Sequence, residues 1–213
     1  LDWQALRSLW PQLVWGVHHR HLLLYSDDRL VESLIRDVHA DGSLPGPGQN
    51  VLYVTNTDVH YSKVSQYIRQ TITWRQTVSE RGMVYTARID LRNTAPARGL
   101  PRAYLDPNFG DFMRIYVPPG ARLLRESGFD QPWAPAPWHG LTQFSGFLVV
   151  RPGRRVTVII GYTLPARYND RCLSVPKQPG TGPHKFDVQF AAASPAARFV
   201  DANRVLCSRP RSR

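Results

Sequence analysis

A chain of 213 residues with 42% hydrophobic content can bury one sizeable core, and no stretch of it approaches the roughly 20 consecutive apolar residues of a membrane-spanning helix. Charged residues make up only 20%, against 15 Gly and 18 Pro, a balance that suits short strands joined by tight turns and argues against long solvated helices. The net charge of +11 rests on arginine, since Lys63, Lys177 and Lys185 are the only lysines. Guanidinium groups pair bidentately with phosphate and carboxylate, which points to anionic envelope polymers, acidic lipid headgroups or nucleic acid as partners, or else to a charge that serves solubility alone.

Trp3, Leu6, Leu9, Trp10, Leu13, Val14 and Val17 recur at helical spacing and predict an amphipathic helix. Pro11 falls inside it and is expected to kink the helix or to open a second short one. The apolar run Leu22, Leu23, Leu24 and Tyr25 reads as a buried strand, and Ser26 and Asp27 are N-cap candidates for a helix through Leu30, Leu34 and Ile35. Gly42, Pro45, Gly46, Pro47 and Gly48 then mark a linker or long turn.

From Val51 the hydrophobic period changes from helical to two. Ile68, Ile72, Trp74 and Val78 fall on one face of a strand, and Met83, Tyr85, Ala87, Ile89 and Leu91 on one face of the next, with a short connection that makes the two a hairpin. Further strands are expected at 112–117, 144–150, 156–162 and 186–190. Two stretches, 93–110 and 128–140, read as irregular. These elements compose a mainly β α+β fold: a small α/β segment at 1–45, an antiparallel, Ig-like β-sandwich at 46–192 and a basic tail at 193–213.

Several residues are candidates for function. Trp133 and Trp138 offer a stacking platform for a sugar or base, or else cover the end of the sandwich. Asn56, Asp58, His60, Tyr61 and Lys63 form a dense polar run in which Lys63 and Arg69 can bind a phosphate or carboxylate oriented by Asn56 and Asp58; the alternative is an Asx-turn that serves only the loop. His19 and His21 alternate as metal ligands would, yet nothing nearby completes a coordination set, so no metal and no cofactor is expected. Cys172 and Cys207 are too few for a disulfide framework but can form one bridge. Ser62 lacks a nucleophile-elbow setting and the acidic residues are scattered, so no catalytic constellation is visible.

One ordered set of short motifs spans most of the chain: His21-Leu22-Leu23-Leu24-Tyr25-Ser26; Val54-Thr55-Asn56 followed by Tyr61-Ser62-Lys63; Arg114-Ile115-Tyr116-Val117-Pro118-Pro119-Gly120; Gly146-Phe147-Leu148-Val149-Val150-Arg151-Pro152-Gly153; Gly161-Tyr162-Thr163-Leu164-Pro165; and Lys177-Gln178-Pro179-Gly180-Thr181. In order and spacing, from about Trp3 to Phe190, the set resembles the C-terminal part of the bacterial envelope-protein family catalogued as domain of unknown function four thousand and twelve. The resemblance implies an exported body on an N-terminal membrane anchor, in a family sometimes considered alongside enzymes that attach glycopolymers to the cell wall. It implies no activity and no catalytic residues, and the tail with Cys207 has no counterpart in it.

The expectation is therefore a non-catalytic structural or interaction module on the outer side of a membrane. Its partners would be other envelope subunits, an anionic glycopolymer or a missing upstream region of the same protein, with nucleic acid the least expected. The alternatives are a polyanion-binding domain and an accessory domain of a wall-glycopolymer transferase.

Overall fold

A computed structural model of the chain describes residues 3–45, 48–60, 62–80, 82–96, 98, 106–166, 168, 172–191, 197–200 and 204–208. Two helices, α1 (Trp3–His18) and α2 (Arg29–Asp37), precede the strands. α1 runs through Pro11 as one helix, so the proline neither ends it nor starts another. It stops where Arg20 takes a left-handed φ of 55°, and the backbone N–H groups of His21 and Leu22 both donate to the Gly16 carbonyl, at 2.8 and 3.0 Å. The cap of α2 is Asp28 rather than Ser26 or Asp27: its Oδ1 accepts from the N–H groups of Leu30 and Val31.

Leu22, Leu23, Leu24 and Tyr25 do not form the expected buried strand. Leu24 donates one bond, to the Ala40 carbonyl at 2.9 Å, and Leu23, Leu24 and Tyr25 remain exposed. An apolar run becomes a strand only beside a partner edge, and here the chain passes directly from one helix to the next. The N-terminal segment is helix, extended link and helix, not α/β.

Beyond it lie β1 (Tyr53–Thr55), β2 (Ile68–Ser79), β3 (Gly82–Asn93), β4 (Phe109–Val117), β5 (Arg122–Ser127), β6 (Gln131–Trp138), β7 (Leu141–Val150), β8 (Arg155–Thr163), β9 (Cys172–Val175), β10 (Lys185–Gln189), β11 (Ala197–Val200) and β12 (Arg204–Cys207). They build a four-stranded sheet in the order β1-β4-β7-β6, a six-stranded sheet in the order β11-β10-β2-β3-β8-β5, and the pair β12-β9. Pairing is antiparallel except between β2 and β10, which run parallel. The chain is thus a mainly β α+β protein. The β2–β3 hairpin extends from Ile68↔Asn93 to Ser79↔Gly82, with Ile72, Trp74, Tyr85, Ala87, Ile89 and Leu91 buried by the alternation.

The inner faces of the two large sheets share one core, with Met113, Ile115, Phe144 and Leu148 on one side and Trp74, Tyr85, Ile160 and Tyr162 on the other. Trp74 Nε1 donates to Tyr162 Oη at 3.1 Å, so the polar ends of two buried rings satisfy each other. Burial pushes the Tyr162 phenol far above its ordinary pKa. Burying each such ring stabilises the fold by about 1.5–3 kcal/mol.

Two regions depart from expectation. Residues 128–140 are not irregular but contain β6, an edge strand that pairs only with β7 and shifts register between Trp133 and Ala136. An edge tolerates Pro132, Pro135 and Pro137 because a missing N–H there breaks no second ladder. The segment expected as a tail also contributes strands: β11 extends the six-stranded sheet through β10, and β12 pairs with β9, where the facing Cys172 and Cys207 are joined by a disulfide. Arg209, Arg211 and Arg213 lie outside the described residues.

Lys177 fastens the helical segment to the sandwich. It is only 1% exposed, and its Nζ donates to the His19 carbonyl at 3.1 Å and to His21 Nε2 at 3.3 Å. Gly180 adds a backbone bond to the Arg20 carbonyl.

Candidate functional site

The polar run after β1 does not assemble the anion site that its residue types suggest. The Asn56 N–H donates to Gln178 Oε1 at 2.7 Å, Gln178 Nε2 returns a bond to the Asn56 carbonyl at 2.9 Å, and Asn56 Nδ2 donates to Gln70 Oε1. Asn56 therefore clasps β1 to the segment after β9 and to the inward side of β2. Arg69, one residue before the buried Gln70, emerges on the opposite face of β2, so Asn56 and Arg69 cannot converge on one ligand. Lys63 is exposed just ahead of the short 3₁₀ turn at Val64–Tyr67.

Asp58 adopts the Asx-turn: its Oδ1 accepts from the His60 N–H and its Oδ2 from the Ser62 hydroxyl, both at 3.0 Å. His60 Nδ1 lies 3.0 Å from Asp106 Oδ2 but off the hydrogen-bond axis, an electrostatic contact only. Serine, histidine and carboxylate are thus neighbours in a crossed arrangement. The hydroxyl serves Asp58 rather than the imidazole, which is not the order that activates a nucleophile.

Asp111, which reads from the sequence as a loop residue, sits inside β4 on the core-facing side between Phe109 and Met113. Its Oδ1 accepts the Thr57 N–H at 2.8 Å, and its buried Oδ2 has no partner among the described residues. Burial drives its pKa well above the ordinary carboxyl range, opposed by the Thr57 bond and reinforced by Asp58.

His19 and His21 both stack on Trp15, with ring centroids 4.6 and 5.0 Å away. His19 Nδ1 contacts the Trp15 carbonyl at 2.9 Å, and the ammonium of Lys177 takes the lone pair of His21 Nε2. A cation occupies the place a metal would need. Among the described residues no group of three or more His, Cys, Asp or Glu side chains is placed to hold a metal ion.

The two candidate tryptophans do come together with other groups, on the outer face of the four-stranded sheet. The register aligns Trp133 with Ser145 and Arg114, and Ala136 with Gln143 and Tyr116. From β6 both indoles lean back across β7. Trp133 meets Phe112 at a centroid distance of 4.2 Å, and Trp138 meets Tyr116 at 4.5 Å. Ser145 lies buried in the intervening strand. The rings nevertheless keep 51% and 36% of their residues' surface exposed.

Between the two aromatic pairs stands Arg114, its guanidinium 4.4 Å from the Phe112 ring centre and donating to Thr57 Oγ1 at 3.1 Å. Phe112 and Tyr116 are four residues apart on one strand, so the pairs are about 13 Å apart. A groove of about 380 Å³ continues past Trp138 along Leu44, Pro45, Pro119 and His139. Phe112, Arg114 and Tyr116 escape a reading of the sequence because their outward direction follows from the pairing of β4 with β7. The signal that could have found them is the alternation itself, which puts two aromatics and an arginine on the outer side of a nine-residue strand, where Tyr116 is buried with Val51, Tyr53 and Leu141 while Phe112 and Arg114 stay partly exposed.

No family model matches the chain, and no curated protein matches it. Among solved structures, a Legionella pneumophila protein described as a candidate nutrient-binding protein aligns with 67% of this chain and 53% of its own, at 11% identity and a TM-score of 0.31. The chain spans about half the length of that protein. A likeness this slight carries no argument about either fold or ligand.

Proposed function

We propose that the chain is a non-catalytic interaction module of an exported bacterial envelope protein, and that it holds an anionic glycopolymer on the outer face of its four-stranded sheet. The observation that carries this reading is the placement of Arg114 between the Phe112–Trp133 and Tyr116–Trp138 pairs. Aromatic rings bind the apolar faces of sugar rings, and a guanidinium between them pairs with an acidic substituent. A spacing of about 13 Å suits an extended chain of a few sugar residues rather than a single one.

The Cys172–Cys207 bond is in keeping with an oxidising compartment. The resemblance of the ordered motifs to those of the envelope family named above is a second support for this reading. No helix among the described residues is long and apolar enough to cross a membrane.

The test is a titration of the chain with purified acidic envelope glycopolymer and with a neutral polysaccharide, at low and at physiological salt. Saturable binding of the acidic polymer that survives physiological salt and drops at least tenfold in Trp133→Ala and in Trp138→Ala supports the reading. Binding that disappears with salt, or that is indifferent to both substitutions, overturns it.

A further inference from the structure

The outer face of the other sheet carries a separate feature. Register across β2, β3 and β8 places Arg69 directly opposite Arg92, and Arg92 directly opposite Arg155. Three exposed guanidinium groups therefore form one row across three adjacent strands. In the next row Lys185 of β10 is aligned with Thr71, Asp90 and Thr157. Arg69, Arg92, Arg155 and Lys185 line a common groove of about 460 Å³, completed by Thr71, Thr94 and Pro183 among others.

Asp90 also lines this groove and its charge reaches Arg155, but the hydrogen bonds of Asp90 and Asp187 go to other partners. Asp90 takes two bonds from Arg88, both at 2.8 Å, and one from the Thr157 hydroxyl. Asp187 pairs with Arg198 at 3.2 Å. Arg69 donates to the Gln66 carbonyl at 3.0 Å, which leaves its charge uncompensated. Among the described residues no carboxylate stands within ion-pair distance of Arg69, Arg92, Arg155 or Lys185.

Like charges directly opposite on neighbouring strands destabilise a sheet, and two such pairs in succession form an arrangement that an anion relieves. Neighbouring strands are about 4.8 Å apart, so the row spans roughly 10 Å. We infer that this groove is a binding site for a phosphate-class oxyanion, a phosphomonoester or phosphodiester group. A tetrahedral phosphate offers oxygens in several directions and can be shared by adjacent guanidinium forks, whereas a carboxylate satisfies only one fork in its plane. The site is independent of the aromatic face, which lies on the opposite side of the sandwich.

The experiment measures thermal shifts and calorimetric binding of the chain with inorganic pyrophosphate, with a poly(glycerol phosphate) polymer and with phosphatidylglycerol vesicles, at low ionic strength. Wild-type protein is expected to bind pyrophosphate. Arg92→Thr, which removes the middle charge and suits a strand, is expected to melt higher without ligand, yet to bind at least tenfold more weakly. Arg75→Thr, with the same charge change off the row, stays within about twofold of wild type. Binding to the polymer but not to vesicles assigns a polymer phosphodiester as the source, and binding to vesicles assigns a lipid headgroup. No binding in any arm, or equal losses in Arg92→Thr and Arg75→Thr, overturns the site.

Discussion

The Thr57 N–H donates to Oδ1 of Asp111 at 2.8 Å and is the only hydrogen bond that ties this buried carboxyl to the described chain. Phe112 answers with a bond to the Thr57 carbonyl, so the short segment after β1 continues along β4 beyond the last residue of the regular strand. The carboxyl thus marks where the sandwich closes at this end.

A pH dependence follows. The pKa of Asp111 in the folded chain lies above its unfolded value of about 3.9, so across that interval the native state holds a proton that the unfolded state has released. Its contribution to stability is fully present below about pH 4 and declines as pH rises toward the folded pKa. Asp111→Asn keeps the acceptor for Thr57 and removes the titration. The variant is expected to melt a few degrees higher than wild type at pH 8 and to match it near pH 4, measured by calorimetry across that range.

Lys177 is expected to be indispensable to the docking of the helices. Lys177→Met keeps much of the stem volume but strands the His19 carbonyl, at a cost of about 1–3 kcal/mol. Limited proteolysis gives the readout: cleavage between α1 and α2 should accelerate before the sandwich itself unfolds. Unchanged cleavage rates would contradict the docking role.

The disulfide closes a loop with a sequence separation of 35, and chain entropy assigns such a loop about 3–4 kcal/mol. Denaturant unfolding of a Cys172→Ser, Cys207→Ser double variant should show a loss of that order. Amide exchange should rise first in the β9–β12 pair, whose ladder is only four residues long on each side.

Gly146 lies on the inward side of β7, where an added Cβ would stand 2.4 Å from Cγ of Phe129. The partly buried Phe129 ring packs against the core and must shift to admit the methyl, so Gly146→Ala should cost about 1–3 kcal/mol. Combining it with Phe129→Leu should recover part of the loss, a non-additivity that a double-mutant cycle measures.

Legibility in the sequence followed the range of the interactions involved. The β2–β3 hairpin could be read because twelve residues on each side alternate and the connection is short. The parallel pairing of β10 with β2 could not, since its partners are more than a hundred residues apart and no local pattern encodes that choice. β6 was hidden by its three prolines, which argue against a strand everywhere except at an edge. The leucines after α1 misled in the other direction, because hydrophobic composition does not reveal whether a partner edge exists.

The candidate sites divide in the same way. Trp133 and Trp138 were visible as residues, but their association with Phe112, Arg114 and Tyr116 depends on the register of three strands. Arg69 was visible as a cation, though its companions are Arg92 and Arg155 rather than Lys63 and Asn56. A boundary at residue 45 looked natural from the glycines and prolines. The buried Lys177 crosses it from the other side, joining the two parts that composition had separated.

The proline-bearing edge has a consequence for how copies of this domain can crowd together. With Pro132, Pro135 and Pro137 along β6, and only three residues in β1 at the opposite margin, neither border of the four-stranded sheet offers the regular row of donors and acceptors that an incoming strand requires. Runaway edge-to-edge polymerisation is closed to that sheet. Copies brought close together cannot add strands at that sheet, which leaves its aromatic face free of backbone-driven self-association.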